Sequence, residues 1–139
     1  MSFTIPRTPF GDHVRERLEN ELVAWMTTVS PDGMPRPSPI WFLLEGDTML
    51  IYSKDGTSRT HNLARDPSCA INFNSTDDGG DIVILEGTAV VSEDPPSPEI
   101  PAYQVKYLDE IPAIGMDPGS FAIAYPVPIR FTPERLRGH

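Results

Sequence analysis

The chain has 139 residues, of which 39% are hydrophobic and 22% are charged. This composition fits one globular domain over residues 1–139 and argues against disorder, although there are 16 prolines. The formal net charge of -9 argues against nucleic acid or an anionic membrane surface as a partner, because binding phosphate-rich surfaces requires a basic face.

The first half of the chain predicts an extended arm, a short helix and three strands. The arm covers residues 1–11, and the helix covers 12–20, where Val14 and Leu18 are four residues apart. The strands, rich in β-branched and aromatic residues, are predicted at 21–30, 34–44 and 48–53. Because the turns SPDGM and EGD between them are tight, we expect these strands to form an antiparallel meander.

The second half predicts a helix, three further strands and a second helix. The first helix starts from Thr57 or Ser58 as its N-cap and ends near Asp66, because Pro67 disfavours helical backbone in the residue before it. The remaining elements are strands at 68–74, 81–92 and 119–133, the last interrupted by Pro126 and Pro128, and a helix at 98–114.

These elements predict a mainly β fold of about six antiparallel strands with short helices. Several predicted strands carry apolar residues on both faces, at Leu22 and Trp25, Ile82 and Val83, and Ile123 and Tyr125. A sheet buried on both faces indicates a closed barrel whose outside is covered by helices or by another subunit. A two-layer α+β sheet is the alternative.

The cysteine count and the N-terminus suggest a location in the cell. The one cysteine, Cys69, lies in the apolar run CAINF and is expected to be a small core residue. The N-terminal residues lack the apolar region of a secretory signal, and no stretch approaches the roughly 20 apolar residues of a membrane span. We therefore expect a cytoplasmic protein.

Motifs for side-chain catalysis and metal binding are missing from the sequence. The histidines His13, His61 and His139 are far apart, and no His/Cys spacing suggests a zinc site. The one carboxylate within an apolar segment, Glu86, is more often turned to solvent than used as an acid or base. No catalytic residue and no metal site are predicted, so any chemistry is expected to come from a bound cofactor.

Three prolines at every second position, Pro35, Pro37 and Pro39, mark the strand MPRPSPIWF. Alternate residues of an antiparallel strand direct their N–H and C=O groups to the same neighbour, so these prolines remove the donors from one side only. The strand is therefore expected to lie at an edge or a split. The prolines either protect that edge from aggregation or leave it open for a flat ligand.

The start of the helix at TSRTHN is a candidate phosphate site. Its first N–H groups have no partner within the helix and carry partial positive charge. Thr57, Ser58 and Arg59 follow Lys54 in a segment with three basic residues and one acid, whereas residues 77–110 hold nine acids and one base. These groups could bind a phosphate, or they could simply cap the helix beside a solvated arginine. The phosphate site is favoured over simple capping if strand 48–53, which precedes this helix, pairs directly with the proline strand, as we expect.

Five segments follow one another along the chain: TTVSPDGMPRPSPIWF, GDTMLIYS, TSRTHNLARDPSCAINF, GGDIVILEGTA and AYQVKYLDEI. In this order they resemble the pyridoxamine 5′-phosphate oxidase-like flavoprotein superfamily. The similarity covers most of residues 10–131 and is closer to the branch of oxidoreductases that depend on the deazaflavin coenzyme F420. It implies a split β-barrel that forms a homodimer, with the cofactor site at the interface.

The resemblance also implies roles for particular residues. The cofactor ring is expected to contact Ser38, Pro39, Ile40 and Trp41, with Trp25 or Phe73 of either subunit as further apolar wall. The ribityl chain and phosphate are expected to contact Tyr52, Ser53 and Lys54, and the phosphate is also expected to bind Arg59, Thr57 and Ser58. The anionic F420 tail is expected to contact Arg36, Lys54 and Arg65.

The activity implied is transfer of a hydride between reduced deazaflavin and a small unsaturated organic acceptor. One alternative is an FMN-binding oxidoreductase of the same fold. Another is a cofactor-binding protein without efficient turnover.

Overall fold

A computed structural model describes residues 3–139. The helices are α1 (Pro9–Asn20), α2 (Ser58–Arg65), a 3-10 turn (Ser97–Glu99), α3 (Pro101–Lys106), α4 (Glu110–Ala113) and α5 (Pro118–Ala124). The strands are β1 (Ala24–Val29), β2 (Pro35–Ile40), β3 (Leu43–Glu45), β4 (Thr48–Ser53), β5 (Ser68–Asn72), β6 (Val83–Val91) and β7 (Val127–Gly138). Within residues 3–139, every helix is too short or too polar to cross a bilayer.

The N-terminal arm is shorter than predicted. Met1 and Ser2 lie outside the described residues, and α1 begins at Pro9 rather than at Asp12. Thr8 caps this helix by accepting a hydrogen bond from the N–H of Gly11, with proline at the first helical position. Ile5 is buried in the main core, so the remaining arm packs against the domain.

The strands form one antiparallel sheet in the order β2-β1-β5-β6-β7-β4-β3. Its two edge strands, β2 and β3, are separated by only Trp41 and Phe42. Two residues cannot span an open seven-stranded sheet, since neighbouring strands lie about 4.8 Å apart. The sheet therefore curls until its edges approach each other, which confirms the predicted split barrel.

The predicted meander of the first three strands is right for its first pair, since β1 and β2 are antiparallel neighbours, and wrong for its second. The predicted strand 34–44 breaks at Trp41 and Phe42, and β4 pairs with β3 and β7 instead of with β2. Strand β2 pairs with β1 alone, which confirms that the proline strand uses one side only. The physical reason is the missing donors: a second neighbour would find no N–H at Pro35, Pro37 or Pro39.

Two hydrophobic clusters lie on opposite faces of β4. Met49 and Ile51 point into the barrel core, which also contains Cys69 as predicted. Leu50 and Tyr52 point outward into a second cluster formed with helices α3 to α5. Helices therefore cover the outside of the barrel at this strand, as expected. The three residue pairs that suggested this were poor guides, because Leu22, Ile82 and Ile123 all lie outside strands.

Two predicted elements in the last third of the chain are wrong. The predicted helix 98–114 is divided into the 3-10 turn, α3 and α4, because Pro101 and Pro112 are each tolerated only in the first turn of a helix, and each therefore lies near the start of a new one. The predicted strand 119–133 begins as helix α5, and β7 starts only at Val127. Asp117 and Ser120 form a capping box at the start of α5, with Pro118 in its first turn, so local capping overrides the β-like composition.

A bulge between Glu86 and Gly87 bends β6 against β7. A Cβ atom at Gly87 would lie 2.1 Å from the carbonyl oxygen of Thr132, so the close approach requires glycine.

We expect Gly87→Ala to lower the free energy of unfolding, measured by urea denaturation, by about 2 kcal/mol or more, as overpacking against backbone does. Gly119→Ala is the matched control, because its Cβ would meet no atom closer than 3.4 Å. Equal stability of the two variants would contradict this account of the bulge.

Candidate functional site

Arg59 lies in the split of the barrel and connects strands that do not pair. Its Nη2 donates to the hydroxyl of Ser38 on β2 at 2.7 Å and to the carbonyl of Pro39 at 3.2 Å. Its Nη1 donates to the hydroxyl of Ser53 on β4 at 3.3 Å. The guanidinium therefore occupies the opening that the proline side of β2 leaves.

The partners of Arg59 are all neutral. Within residues 3–139, no carboxylate lies within 4.0 Å of its guanidinium, and its shielded Nε has no hydrogen-bond partner. Burial lowers the pKa of Arg59 from its usual value. A half-buried cation of this kind is stabilised by an anion, so the geometry favours an anionic ligand.

The N-terminus of α2 adds backbone donors beside this arginine. The Thr57 hydroxyl caps the helix by accepting from the N–H of Thr60 at 3.3 Å. The N–H groups of Ser58 and Arg59 are therefore left to face outward at the positive end of the helix. A groove of about 390 Å³ is lined by Ser38, Pro39, Ser53, Lys54, Thr57, Ser58, Arg59 and Tyr125.

A second, more apolar pocket adjoins this groove. It has a volume of about 330 Å³ and is lined by Val23, Pro39, Ile40, Trp41, Tyr52, Arg59, Ile114, Phe121 and Tyr125. The Trp41 ring lies parallel to the Phe121 ring, with centroids 5.6 Å apart, and Phe121 stacks on Tyr125 at 4.8 Å. Aromatic rings and aliphatic side chains form a wall of the kind that binds planar molecules.

The groove and the pocket share Pro39, Arg59 and Tyr125, so they form one site with a cationic and an apolar end. Lys54 extends over the Tyr125 ring, with Nζ 5.6 Å from its centroid. No acidic residue lines either part, although the chain carries nine more negative than positive charges. The arrangement fits a planar group that carries a phosphate.

Comparison with known proteins agrees with this geometry. Residues 10–139 match the family model for pyridoxamine 5′-phosphate oxidase. The chain belongs to this family. No curated protein sequence matches it, so the family assignment depends on that model and on the fold.

Solved structures at low sequence identity share the fold of this family member. A conserved hypothetical protein from Mycobacterium tuberculosis has a TM-score of 0.71 at 19% identity, covering 99% of this chain and 88% of that one. An F420 reductase has a TM-score of 0.68 at 20% identity, covering 88% and 94%. The haem storage protein HutZ from Vibrio cholerae has a TM-score of 0.65 at 13% identity, covering 94% and 95%.

Ten of the fourteen residues named from the sequence for contact with the cofactor line the groove or the pocket. They are Ser38, Pro39, Ile40, Trp41, Tyr52, Ser53, Lys54, Thr57, Ser58 and Arg59. Arg36 is exposed on β2 and lines neither part. The structure thus brings the predicted set together, and its binding role stays a prediction.

Other residues named from sequence lie elsewhere. Arg65 donates to the carbonyl of Val29 at the end of β1. Trp25 and Phe73 of this chain line a separate pocket. Glu86 faces Arg135 and Arg137 on β7 and forms surface ion pairs with both, so it has the structural role expected of a lone strand carboxylate.

Sequence reasoning missed the residues that close the apolar end: Val23, Ile114, Phe121 and Tyr125. Phe121 and Tyr125 were placed in a strand, whereas both project from α5 and its C-cap. The signal that would have found them is the sequence DPGS, in which Asp caps a helix that starts with proline.

We expect Arg59→Ala to abolish stabilisation by a phosphate-containing anion. Bound pyrophosphate should raise the melting temperature of the native protein by mass action, and loss of the charge-assisted bonds should weaken its binding about tenfold to a hundredfold. Without the anion, Arg59→Ala should change the melting temperature little, because relief of a half-buried charge with no acidic partner offsets the loss of its hydrogen bonds across the split. Differential scanning fluorimetry measures both effects.

The matched control is Arg7→Ala, which removes an exposed arginine of the N-terminal arm that lines neither part of the site. It should keep the full pyrophosphate response. If Arg59→Ala and Arg7→Ala respond alike, Arg59 is not the anion site.

Proposed function

We propose that the protein is an oxidoreductase that binds coenzyme F420 in the joined groove and pocket and transfers a hydride between the reduced deazaflavin and a small unsaturated acceptor. The observation that carries this proposal is Arg59, a half-buried cation with neutral partners only, placed beside an aromatic pocket. Membership of the pyridoxamine 5′-phosphate oxidase family and the shared fold with an F420 reductase support it.

Each end of the site has a role in binding. Arg59 and the N–H groups at the start of α2 would hold the phosphate, with Lys54 at the open side of the groove. Pro39 and Ile40 would lie along one edge of the ring, because β2 has no strand neighbour on that side. Trp41 and Phe121 would exclude water from one end of the pocket.

The bound cofactor would supply the hydride, and the protein would orient it and the acceptor. Tyr52 is poorly suited to act as an acid, because its hydroxyl donates to the carbonyl of Pro95 and burial raises its pKa to about 12. In this proposal, the proton that accompanies the hydride comes from solvent.

FMN is the alternative cofactor, because it presents the same planar ring and phosphate to these residues. F420 differs in its longer anionic tail. Lys54 at the edge of the groove and the exposed Arg36 are the cations available for such a tail. A binding protein without efficient turnover would use the same contacts.

Haem fits the site less well. Haem iron requires an axial ligand, and the usual ones are histidine, cysteine, methionine and tyrosine. No histidine, cysteine or methionine lines the groove or the pocket, and the Tyr52 hydroxyl is bonded to the carbonyl of Pro95. Tyr125 is therefore the one side chain of the site left as a ligand for haem, although the fold is shared with a haem storage protein.

A titration of the purified protein with F420, FMN and haem tests the proposal. We expect quenching of tryptophan fluorescence to show tighter binding of F420 than of FMN. We also expect Arg36→Ala to bind F420 more weakly than the native protein does and to bind FMN equally well. Hydride transfer is then followed as loss of absorbance of reduced F420 with candidate acceptors. Preference for FMN would select the alternative oxidoreductase, and binding without turnover would select the storage role. Binding of none would contradict all three.

We also propose that the protein is a homodimer whose second copy completes the site. Along β1, Trp25, Thr27 and Val29 alternate with buried residues and face outward. Trp25 pairs with Pro39 across the sheet, so this outer face continues directly to the cofactor site. Two further depressions on the same face, lined around Trp25 and around Val29, leave room for side chains of a partner.

Sedimentation or light scattering tests the dimer. We expect a mass of twice the 15.4 kDa chain, a monomer for Thr27→Arg, and weaker cofactor binding in that variant. Val105→Glu is the control, because Val105 is 75% exposed on α3 and lines neither the two depressions nor the cofactor site. A monomeric native protein, or a Thr27→Arg dimer, would contradict the proposed interface.

A further inference from the structure

The chain leaves the sheet between β2 and β3, at Trp41 and Phe42. Phe42 is fully buried, and it lies in neither strand. Its N–H and C=O groups therefore need partners from outside the sheet, since unpaired buried backbone groups are costly.

Two side chains at the C-terminal end of α3 supply these partners. The Tyr107 hydroxyl accepts from the N–H of Phe42 at 2.7 Å and lies 2.7 Å from the carbonyl of Leu22, to which it can donate. The ammonium of Lys106 donates to the carbonyl of Phe42 at 2.8 Å and lies 3.7 Å from the centre of its ring. Both polar groups of Phe42 are thus satisfied from a helix about 65 residues further along the chain.

The same tyrosine also contacts the side chain of Trp41. The two rings are stacked, with centroids 4.6 Å apart and planes inclined by 5°. The other neighbour of Trp41 in this stack is Phe121. Tyr107 therefore fixes Trp41 in two ways: its ring stacks on the Trp41 ring, and its hydroxyl bonds to the backbone of the next residue, Phe42.

We propose that Tyr107 and Lys106 are positioning residues that fix Trp41 as the wall of the apolar pocket and thereby set the affinity for the cofactor ring. The part that concerns the ring rests on the proposed function. Neither residue lines the groove or the pocket, so both act through Trp41 and Phe42.

Substitutions at Tyr107 and Lys106 can remove the polar contacts to Phe42 while keeping most of the packing of the two side chains. Tyr107→Phe keeps the ring that stacks on Trp41 but leaves the N–H of Phe42 and the carbonyl of Leu22 without the hydroxyl. Lys106→Met keeps most of the alkyl stem and removes the ammonium. A matched control lies one turn earlier on the same helix: the buried Tyr103 hydroxyl has no hydrogen-bond partner within residues 3–139, so Tyr103→Phe breaks no such bond.

The experiment uses a Trp25→Phe background, in which Trp41 is the remaining tryptophan. Acrylamide quenching of Trp41 is measured first, without ligand. We expect Tyr107→Phe to raise the quenching constant at least about twofold, Lys106→Met to raise it less, and Tyr103→Phe to leave it unchanged. F420 and FMN titrations are made with Trp25 retained, because Trp25 lies on the proposed dimer face. They should show affinity about tenfold weaker in Tyr107→Phe, as for a lost buried hydrogen bond, while the pyrophosphate response stays within about twofold.

Several results would overturn the proposal. Equal quenching in Tyr107→Phe and Tyr103→Phe would show that the hydroxyl does not position Trp41. Raised quenching with unchanged cofactor affinity would show that the wall does not determine ring binding. If Tyr107→Phe fails to fold by circular dichroism, Lys106→Met decides by the same two readouts. If the native protein binds neither cofactor, the proposed function fails, and the quenching comparison alone still decides whether the two residues position Trp41.

Discussion

The hydrogen-bonding deficit of β2 is the constraint from which the site follows. Three prolines leave this strand with donors on one side, so it pairs with β1 alone. The chain then leaves the sheet at Trp41 and Phe42, and the β3–β4 hairpin pairs with β7 instead. The result is an opening between strands that would otherwise be neighbours, and Arg59 bridges it by hydrogen bonds to Ser38 and Ser53.

Electrostatics give this opening its character. The protein is strongly acidic overall, yet neither part of the site is lined by a carboxylate. Arg59, Lys54 and the N-terminus of α2 therefore present an isolated positive region within a negative surface. The low local dielectric around a half-buried guanidinium strengthens its attraction for an anion. An acidic protein can in this way keep a local site that attracts a small anion.

The second hydrophobic cluster connects the fold to the site. Helix α3 covers the outer face of β4 through Tyr103, and its end satisfies the backbone of Phe42 through Tyr107 and Lys106. The same packing places Phe121 against Trp41. The stability of this cluster and the shape of the apolar pocket are therefore coupled, because the same layer of aromatic rings packs the cluster and forms the pocket wall.

The sequence by itself determined the features that depend on local chemistry. Proline spacing defined the one-sided strand, and Thr57 or Ser58 was expected to start α2. Of the ten predicted residues that line the site, four in segment 54–59 followed from local chemistry, and the six in segments 38–41 and 52–53 were named from the family resemblance. Only the tertiary structure decided which strand pairs with β4, that helix α5 lies beside the pocket, and that Tyr107 bonds to Phe42. Strand partners and bonds between residues 65 positions apart depend on how the whole sheet curls, and local residue preferences carry no information about that.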